Sequence, residues 1–351
     1  MAAMPSITIR DVAREAGVST ATVSYALNNT GRVTAETRER IIAIARRLNY
    51  RPNMAARNLQ ASETRLIAYS WRPSLGGQFH PVLDQFLTSM AQAAAHHGYR
   101  LVVYPTETVE EELRSYEELV GERQLDGIVL SSTNFEDQRV KRLLELDFPF
   151  VAFGRSRPDL DFPWVDVDGF AGLYASTRHL IEQGHRRIAC LSWPQGSLTG
   201  DFRLAGFRSA MQDAKLPVPD EFVVHADNYY DAARTAILPL LQLAPAARPT
   251  GYVVVSDLMA MGVMNILQES GIVVGEEVAV TGFDDAPVAR YLRPPLTSLA
   301  QPLDEVGDRL ISMLVDVCRN RKPSPSQLLL APELKVRGTS SFRLSEPNRN
   351  S

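Results

Sequence analysis

From Thr8 to Leu48 the chain repeats one pattern three times, a hydroxyl residue followed by a run at helical spacing, and this punctuation leaves little choice of local fold. Thr8-Ile9-Arg10-Asp11 has the form of a capping box, in which the Thr hydroxyl accepts a first-turn N–H and the Asp side chain reaches back. Val12, Ala13 and Ala16 follow as an apolar stripe, and Gly17 ends it, because glycine tolerates left-handed backbone angles. Ser19 caps a second helix, Thr20 to Leu27, and Thr34 a third that carries Ile41, Ile42, Ile44, Ala45 and Leu48. The third stops before Pro52, which disfavours helical geometry at Arg51. So short a connection between the first two helices predicts a helix-turn-helix, whose second helix enters a DNA major groove by its N-terminal residues. Thr20 and Ala21, with Tyr25 a turn later, are the side chains placed to read bases; Val18, Val23 and Leu27 are placed to pack on the first helix.

Three short helices could equally be a plain bundle, but charge argues against it. Residues 1–60 hold nine arginines, no lysine and four acids, a net of +5, which leaves −9 for the rest of a chain whose total is −4. A basic head on an acidic body fits phosphate attraction confined to one module.

Past a short polar stretch, Ala61 to Arg65, apolar strand-like runs alternate with helical ones. Leu66–Trp71, Leu101–Tyr104, Gly127–Ser131, Phe150–Phe153, Ile188–Trp193, Val253–Ser256 and Val278–Phe283 read as buried strands. Helical stretches lie between them at Val82–His97, Leu113–Glu122, Val140–Leu146, Gly169–Glu182, Arg203–Ala214, Tyr230–Leu243, Leu258–Ser270 and Leu303–Asn320. This alternation predicts an α/β body of parallel sheets covered by helices, and its length favours two subdomains over one core.

The segment Arg51 to Gln60 could form a two-turn helix ending near Leu59, too short to be stable without a partner. Taken with Asp11-Val12-Ala13, Gly17-Val18-Ser19, Thr22-Val23-Ser24, Leu48-Asn49-Tyr50-Arg51-Pro52 and Ala56-Arg57-Asn58-Leu59, it resembles the lac/galactose repressor family of bacterial regulators, and the likeness covers nearly the whole chain. The resemblance implies that hinge helices over residues 53–60 pair in a dimer and that a leucine from each, here Leu59, wedges into the central base step of the operator. Such a wedge kinks the duplex at a cost of roughly a few kcal/mol, offset by wider contact. The expected DNA-contacting residues are Thr8, Ser19, Thr20, Ala21, Thr22, Ser24, Tyr25, Asn28, Asn53, Ala56, Arg57 and Leu59.

For the body the resemblance implies a two-lobed fold like periplasmic sugar-binding proteins, crossed three times by the chain. With residues 1–60 as the DNA-binding domain and 61–351 as the effector and dimerisation domain, the crossings are expected near Asp161, Tyr291 and Lys322. Lobe 1 is then about 62–161 plus 292–322, and lobe 2 about 162–291 plus 323–342.

Ligand in such a fold lies at the carboxyl ends of the strands, between the lobes. Sugar sites combine planar charged groups with aromatic faces, and Arg155, Arg203 and Asp284 stand where strands end or a helix begins. By resemblance Arg203 and Asp284 match effector-binding positions, as do Ser256 and Asp257, although the family often has Asn where this chain has Ser256. Tyr229 falls at an often aromatic position, and Phe79 in the first cleft loop. Each has a structural alternative: surface charge for the arginines, a turn or cap for the aspartates, core packing for Phe79. Trp71, Trp193 and Phe283 sit on strands, where packing competes with stacking.

Catalytic readings find no support. His179 and His185 lie six apart, off the spacing that aligns two imidazoles on one helical face, and neither a nucleophile elbow nor a Walker or dinucleotide fingerprint is present. No cofactor or metal is expected. Cys190 and Cys318 are too few for a disulfide framework and read as reduced core residues of a cytoplasmic protein, consistent with the lack of a signal pattern or membrane span. An exported sugar-binding protein without a regulatory role would share the body but need export and lack the basic head.

The sequence thus predicts a homodimeric regulator, a repressor by family habit, that binds a palindromic operator and answers to a small carbohydrate. Pro149 to Arg155 resembles α-glucoside responders; a purine or nucleoside effector on the same architecture is the alternative. The polar tail from Ser340 lacks a leucine heptad, which speaks for a dimer over a tetramer.

Overall fold

The computed structural model describes residues 7–28, 30–31, 33–50, 63–71 and 81–341, in two compact units, Met1–Thr64 and Arg65–Ser351. The expected hinge helix over 53–60, with Asn53, Ala56, Arg57 and Leu59, lies outside the described residues, as do Phe79 and the side chain of Asn28.

In the first unit, α1 (Ile9–Ala16), α2 (Thr20–Asn28) and α3 (Ala35–Arg47) start where the hydroxyl residues predict. The Asp11 carboxylate accepts the Thr8 N–H at 2.9 Å and its hydroxyl at 2.7 Å. Ser19 Oγ accepts the Thr22 N–H at 3.1 Å, and Thr34 Oγ1 that of Thr37 at 3.3 Å. Gly17, at φ 64°, closes α1 in the left-handed region. Val12, Val23 and Ile41 are fully buried where the helices meet. Each such burial contributes about 1.5–3 kcal/mol, which helices this short need because alone they are marginal.

The second unit holds two six-stranded sheets. The first is built from β1 (Leu66–Trp71), β2 (Arg100–Pro105), β3 (Gly127–Ser131), β4 (Phe150–Phe153), β5 (Trp164–Val167) and β11 (Gln327–Leu330), in the order 11-5-4-3-1-2, all parallel. The second is built from β6 (Ile188–Ser192), β7 (Val223–His225), β8 (Gly251–Val254), β9 (Ala279–Asp284), β10 (Thr297–Ala300) and β12 (Glu333–Lys335), in the order 12-10-9-8-6-7, parallel except for the edge pair of β10 with β12. Helices α4 (Pro81–His96), α5 (Val109–Gly121), α6 (Gln138–Glu145), α7 (Gly169–Glu182), α8 (Leu198–Asp213), α9 (Tyr230–Ala236), α10 (Leu238–Leu241), α11 (Asp257–Glu269) and α12 (Leu303–Cys318) follow the strands as crossovers. Central strands such as β6 and β8 are buried at every residue, as parallel strands covered on both faces must be.

The expected lobe boundaries need correction. Strand β5 belongs to the first sheet, although a crossing near Asp161 would give it to the second lobe. Likewise β10 pairs with β9 in the second sheet, beyond the crossing expected at Tyr291, and β11 returns to the first, beyond Lys322. The chain therefore changes lobe at Asp168, at Gln301–Pro302 and at Ala331–Pro332. These three strands are only four residues long; β5 and β10 carry polar residues that break the continuous apolar run of a central strand, and in β11 the run Leu328-Leu329-Leu330 is too short to stand out. Strands β7 and β12, three residues each, escape the sequence pattern for the same reason.

Three helices also differ from expectation, the first being α5, which starts at Val109 behind its cap Thr108, a turn before the expected Leu113. Ser197 Oγ accepts the Gly200 N–H at 3.3 Å and starts α8 at Leu198, a turn and a half before Arg203. The expected helix Tyr230–Leu243 is split after Ala236, with Pro239 in the first turn of α10, because proline cannot donate to the preceding turn.

Candidate DNA-reading face and effector cleft

On α2 the side chains sort by face. Val23 and Ala26 are buried against the other two helices, with Val18 and Leu27 packed beside them, while Thr20, Ala21 and Tyr25 face solvent, Tyr25 at 50 % exposure. Ser19 and Thr22 are engaged with each other, Oγ to Oγ1 at 2.9 Å, so their hydroxyls serve the helix start. Thr22 and Ser24 are half-buried, and Thr8 is exposed at the start of α1. The Tyr25 ring lies against Gly31, where an added Cβ would stand 2.9 Å from it. That contact holds the ring beside the turn after α2. Asp11 and Glu15 are paired with Arg14 and Arg47, so much of the head's acidic charge is neutralised internally.

At the carboxyl ends of the two sheets the cleft residues assemble around Arg203. One turn and a half into α8, it is only 4 % exposed. Its guanidinium lies 3.5 Å from the Phe283 ring centroid and 4.9 Å from that of Trp193, and Nη1 donates to the Val255 carbonyl at the end of β8. Burial lowers the Arg203 pKa to about 10, against the pull of Asp284, Asp166 and Asp257. Arg203 Nε and the Trp193 indole N–H are buried donors without a hydrogen-bond partner.

Asp284 ends β9 and accepts a 2.7 Å bond from Gln301, which sits at the second interlobe crossing. Burial raises its pKa to about 6, with Arg203 opposing. Asp284 and Asp285 both have positive φ, 123° and 51°. This uncommon backbone is held by Asp257, whose carboxylate accepts the Ala286 N–H at 2.7 Å and the Ser298 hydroxyl at 2.5 Å, while Ser298 Oγ accepts the Asp285 N–H at 3.0 Å. Both oxygens of Asp257 are thus committed to the turn. Gly282 is required beside it, since a Cβ there would meet Asp257 Oδ1 at 2.2 Å.

Ser256 N-caps α11 and donates to Asn228 Oδ1 at 2.6 Å, so its hydroxyl works in the protein frame. Tyr229, next to Asn228, is half-buried at the start of α9 and makes no cap bond. Across the cleft, Arg155 donates from Nε to Asp166 at 2.7 Å and lays its guanidinium 3.9 Å from the Phe202 ring centroid on the opposite lobe. The structure therefore brings together Arg155, Arg203 and Asp284, keeps Asp257 and Ser256 as braces, and adds Asp166, Phe202 and Gln301. The added residues follow no motif; the only sequence signal is the apolar–acidic alternation of Val165-Asp166-Val167-Asp168.

Among the described residues no helix is long and apolar enough to cross a membrane. A helix-turn-helix unit joined in one chain to a two-lobed body with a charged, aromatic cleft defines a ligand-responsive DNA-binding regulator. Residues 8–53 match the bacterial regulatory proteins of the lacI family, and residues 177–340 match the periplasmic binding protein-like domain. An HTH-type transcriptional repressor PurR from Vibrio parahaemolyticus is 33 % identical over 95 % of this chain and 98 % of its own. A solved complex of the transcriptional regulator CelR with cellobiose is similar at 32 % identity, covering 95 % of this chain and 99 % of that one, with a TM-score of 0.73. The lac repressor dimer bound to operator and the anti-inducer ONPF is similar at 25 % identity with the same coverage and a TM-score of 0.80. The chain belongs to the lacI family of DNA-binding transcriptional repressors.

Proposed function

We propose that this repressor acts in the cytoplasm as a homodimer on a palindromic operator, without catalysis, and that a small carbohydrate sets its affinity. The observation that carries the effector reading is the pair of unpartnered buried donors, Arg203 Nε and the Trp193 N–H, beside the carboxylates of Asp284 and Asp166. Donors and acceptors among aromatic faces suit a polyol, whose hydroxyls do both. The likeness to a cellobiose-bound regulator supports the same class. The relatives named PurR favour a second reading, a purine effector stacked on Trp193. A thermal-shift screen of mono- and disaccharides beside purines discriminates them, because a ligand of the native state raises apparent stability by mass action. Operator titrations with each hit then give the sign of control; if no sugar changes operator affinity, the carbohydrate reading fails.

Effector binding can move the operator equilibrium only by preferring one arrangement of the lobes. The hinge over 53–60 is the segment proposed to feel it. Leu59→Ala is expected to weaken operator binding by tenfold or more, about 1.4 kcal/mol, while leaving binding to random DNA nearly unchanged. Equal loss on both DNAs in a filter-binding comparison would exclude a wedge.

A pH dependence is also expected. The folded pKa of Asp284, near 6, stands above its ordinary 3.8, so its contribution to stability is fully present below 3.8 and is lost as pH rises through 6. Effector affinity runs the other way, since an ionised Asp284 accepts a hydroxyl proton more strongly. Calorimetric affinity should fall as pH drops below about 6. In Asp284→Asn this slope should vanish.

A further inference from the structure

We propose that Arg139 is a positioning residue for the effector cleft, acting through the loop between β3 and α6 on Arg155. The inference rests on reading the cleft as the effector site. Arg139 is buried at the start of α6, between two buried carboxylates. Nε and Nη2 grip Asp137 at 2.9 and 2.7 Å, and Nη1 reaches both oxygens of Glu112 at 3.2 Å. Glu112 accepts in turn from the hydroxyls of Ser70 and Tyr116.

An ion cluster this deep is a poor source of stability, because apolar residues of the same volume serve as well or better. Its geometry indicates a different use. Nη2 also donates to the carbonyls of Ser131 and Ser132, at 3.0 and 3.2 Å, where the chain leaves β3 and Ser132 turns to φ 52°. The next residue, Thr133, donates to the Arg155 carbonyl at 2.8 Å, and Ser156 Oγ donates back to the carbonyls of Asn134 and Phe135 at 2.8 and 3.0 Å. Gly154, at φ 120°, admits this approach, since a Cβ there would stand 2.5 Å from Thr133 Oγ1. The backbone of Arg155 is thereby clamped on both sides by a loop that Arg139 holds. Its guanidinium is then delivered to Asp166 and Phe202.

The test uses the full chain in five variants: Thr133→Val, Arg139→Lys, Arg155→Ala and the two doubles with Arg155→Ala. Thr133→Val keeps the shape of the side chain and leaves the ion cluster intact, so it reports even if the Arg139 variant folds poorly. Amide hydrogen exchange of effector-free protein should quicken over 131–137 and 153–157 in Thr133→Val and in Arg139→Lys, and stay unchanged over 188–192. Cellobiose, used as probe, should bind each about tenfold more weakly, the size of one lost hydrogen bond, and this loss should disappear once Arg155 is alanine. Unchanged exchange over 153–157 in both variants, or an equal further loss in the Arg155→Ala background, overturns the proposal. If the wild-type protein binds no sugar at all, the carbohydrate reading falls and the exchange result alone decides the role of Arg139.

Discussion

Replacing Arg203 by alanine is expected to leave operator binding intact and abolish the response to effector. The lowering of its pKa by burial shows that the neighbouring acids do not fully compensate the desolvation of this cation. Removing it therefore relieves one cost while opening a cavity against Phe283, and the two effects oppose each other in stability. Binding has no such compensation. A charge-assisted hydrogen bond to ligand contributes about 1.5–3 kcal/mol, so the affinity should fall by roughly 10- to 150-fold from this bond alone. Asp284 also loses the cation that restrains its pKa, so the fall in affinity at low pH should begin at a higher pH than in the parent protein. Arg203→Lys keeps the charge but not the planar face stacked on Phe283, and should recover little. Calorimetry with the strongest sugar from the screen, beside operator titration, reads both limbs; a retained response removes Arg203 from the site.

Gly206→Ala is expected to damage the protein itself. One turn after Arg203, Gly206 faces α7 so closely that a Cβ would stand 2.1 Å from the Phe170 carbonyl oxygen and 2.9 Å from its carbon. The obstacle is backbone, which cannot rotate aside, so α7 and α8 must separate. Overpacking costs about 1–3 kcal/mol where side chains can adjust, and this contact belongs at or above the top of that range. At about 2–4 °C per kcal/mol for a large domain, melting should drop by roughly 6–12 °C. The same displacement would carry Arg203 away from Phe283, so effector affinity should fall with it. Gly121→Ala is the control, since a Cβ there meets nothing within 4 Å. Equal melting of the two variants would show that the helices yield more easily than their contact suggests.

The residues proposed for the site from sequence and brought together by the fold share a local signature. Arg155 stands just past β4, Asp284 at the end of β9 and Arg203 in the opening turns of α8, and residue type marked each as a candidate. Asp166 and Gln301 could not be found that way, because β5 and β10 are too short to show a pattern and gain their places only by pairing with strands that lie in order of space, not of sequence. Asp257 reads like a ligand contact in sequence, yet its oxygens are taken by Ala286 and Ser298, residues 29 and 41 positions away. The boundary at Arg203 moved because Ser197, six residues before it, is an effective cap.

What the sequence alone determined is the head, its charge and the alternation of the body. Helix caps at Thr8, Ser19 and Thr34 act over three residues, and buried parallel strands must be apolar throughout, so both leave a trace that needs no knowledge of the rest of the chain. The tertiary structure decided where the chain changes lobe, and which acids face Arg203 and which brace the turn behind it. Those outcomes depend on pairings between distant residues, whose energies are set by burial and geometry that no local window contains.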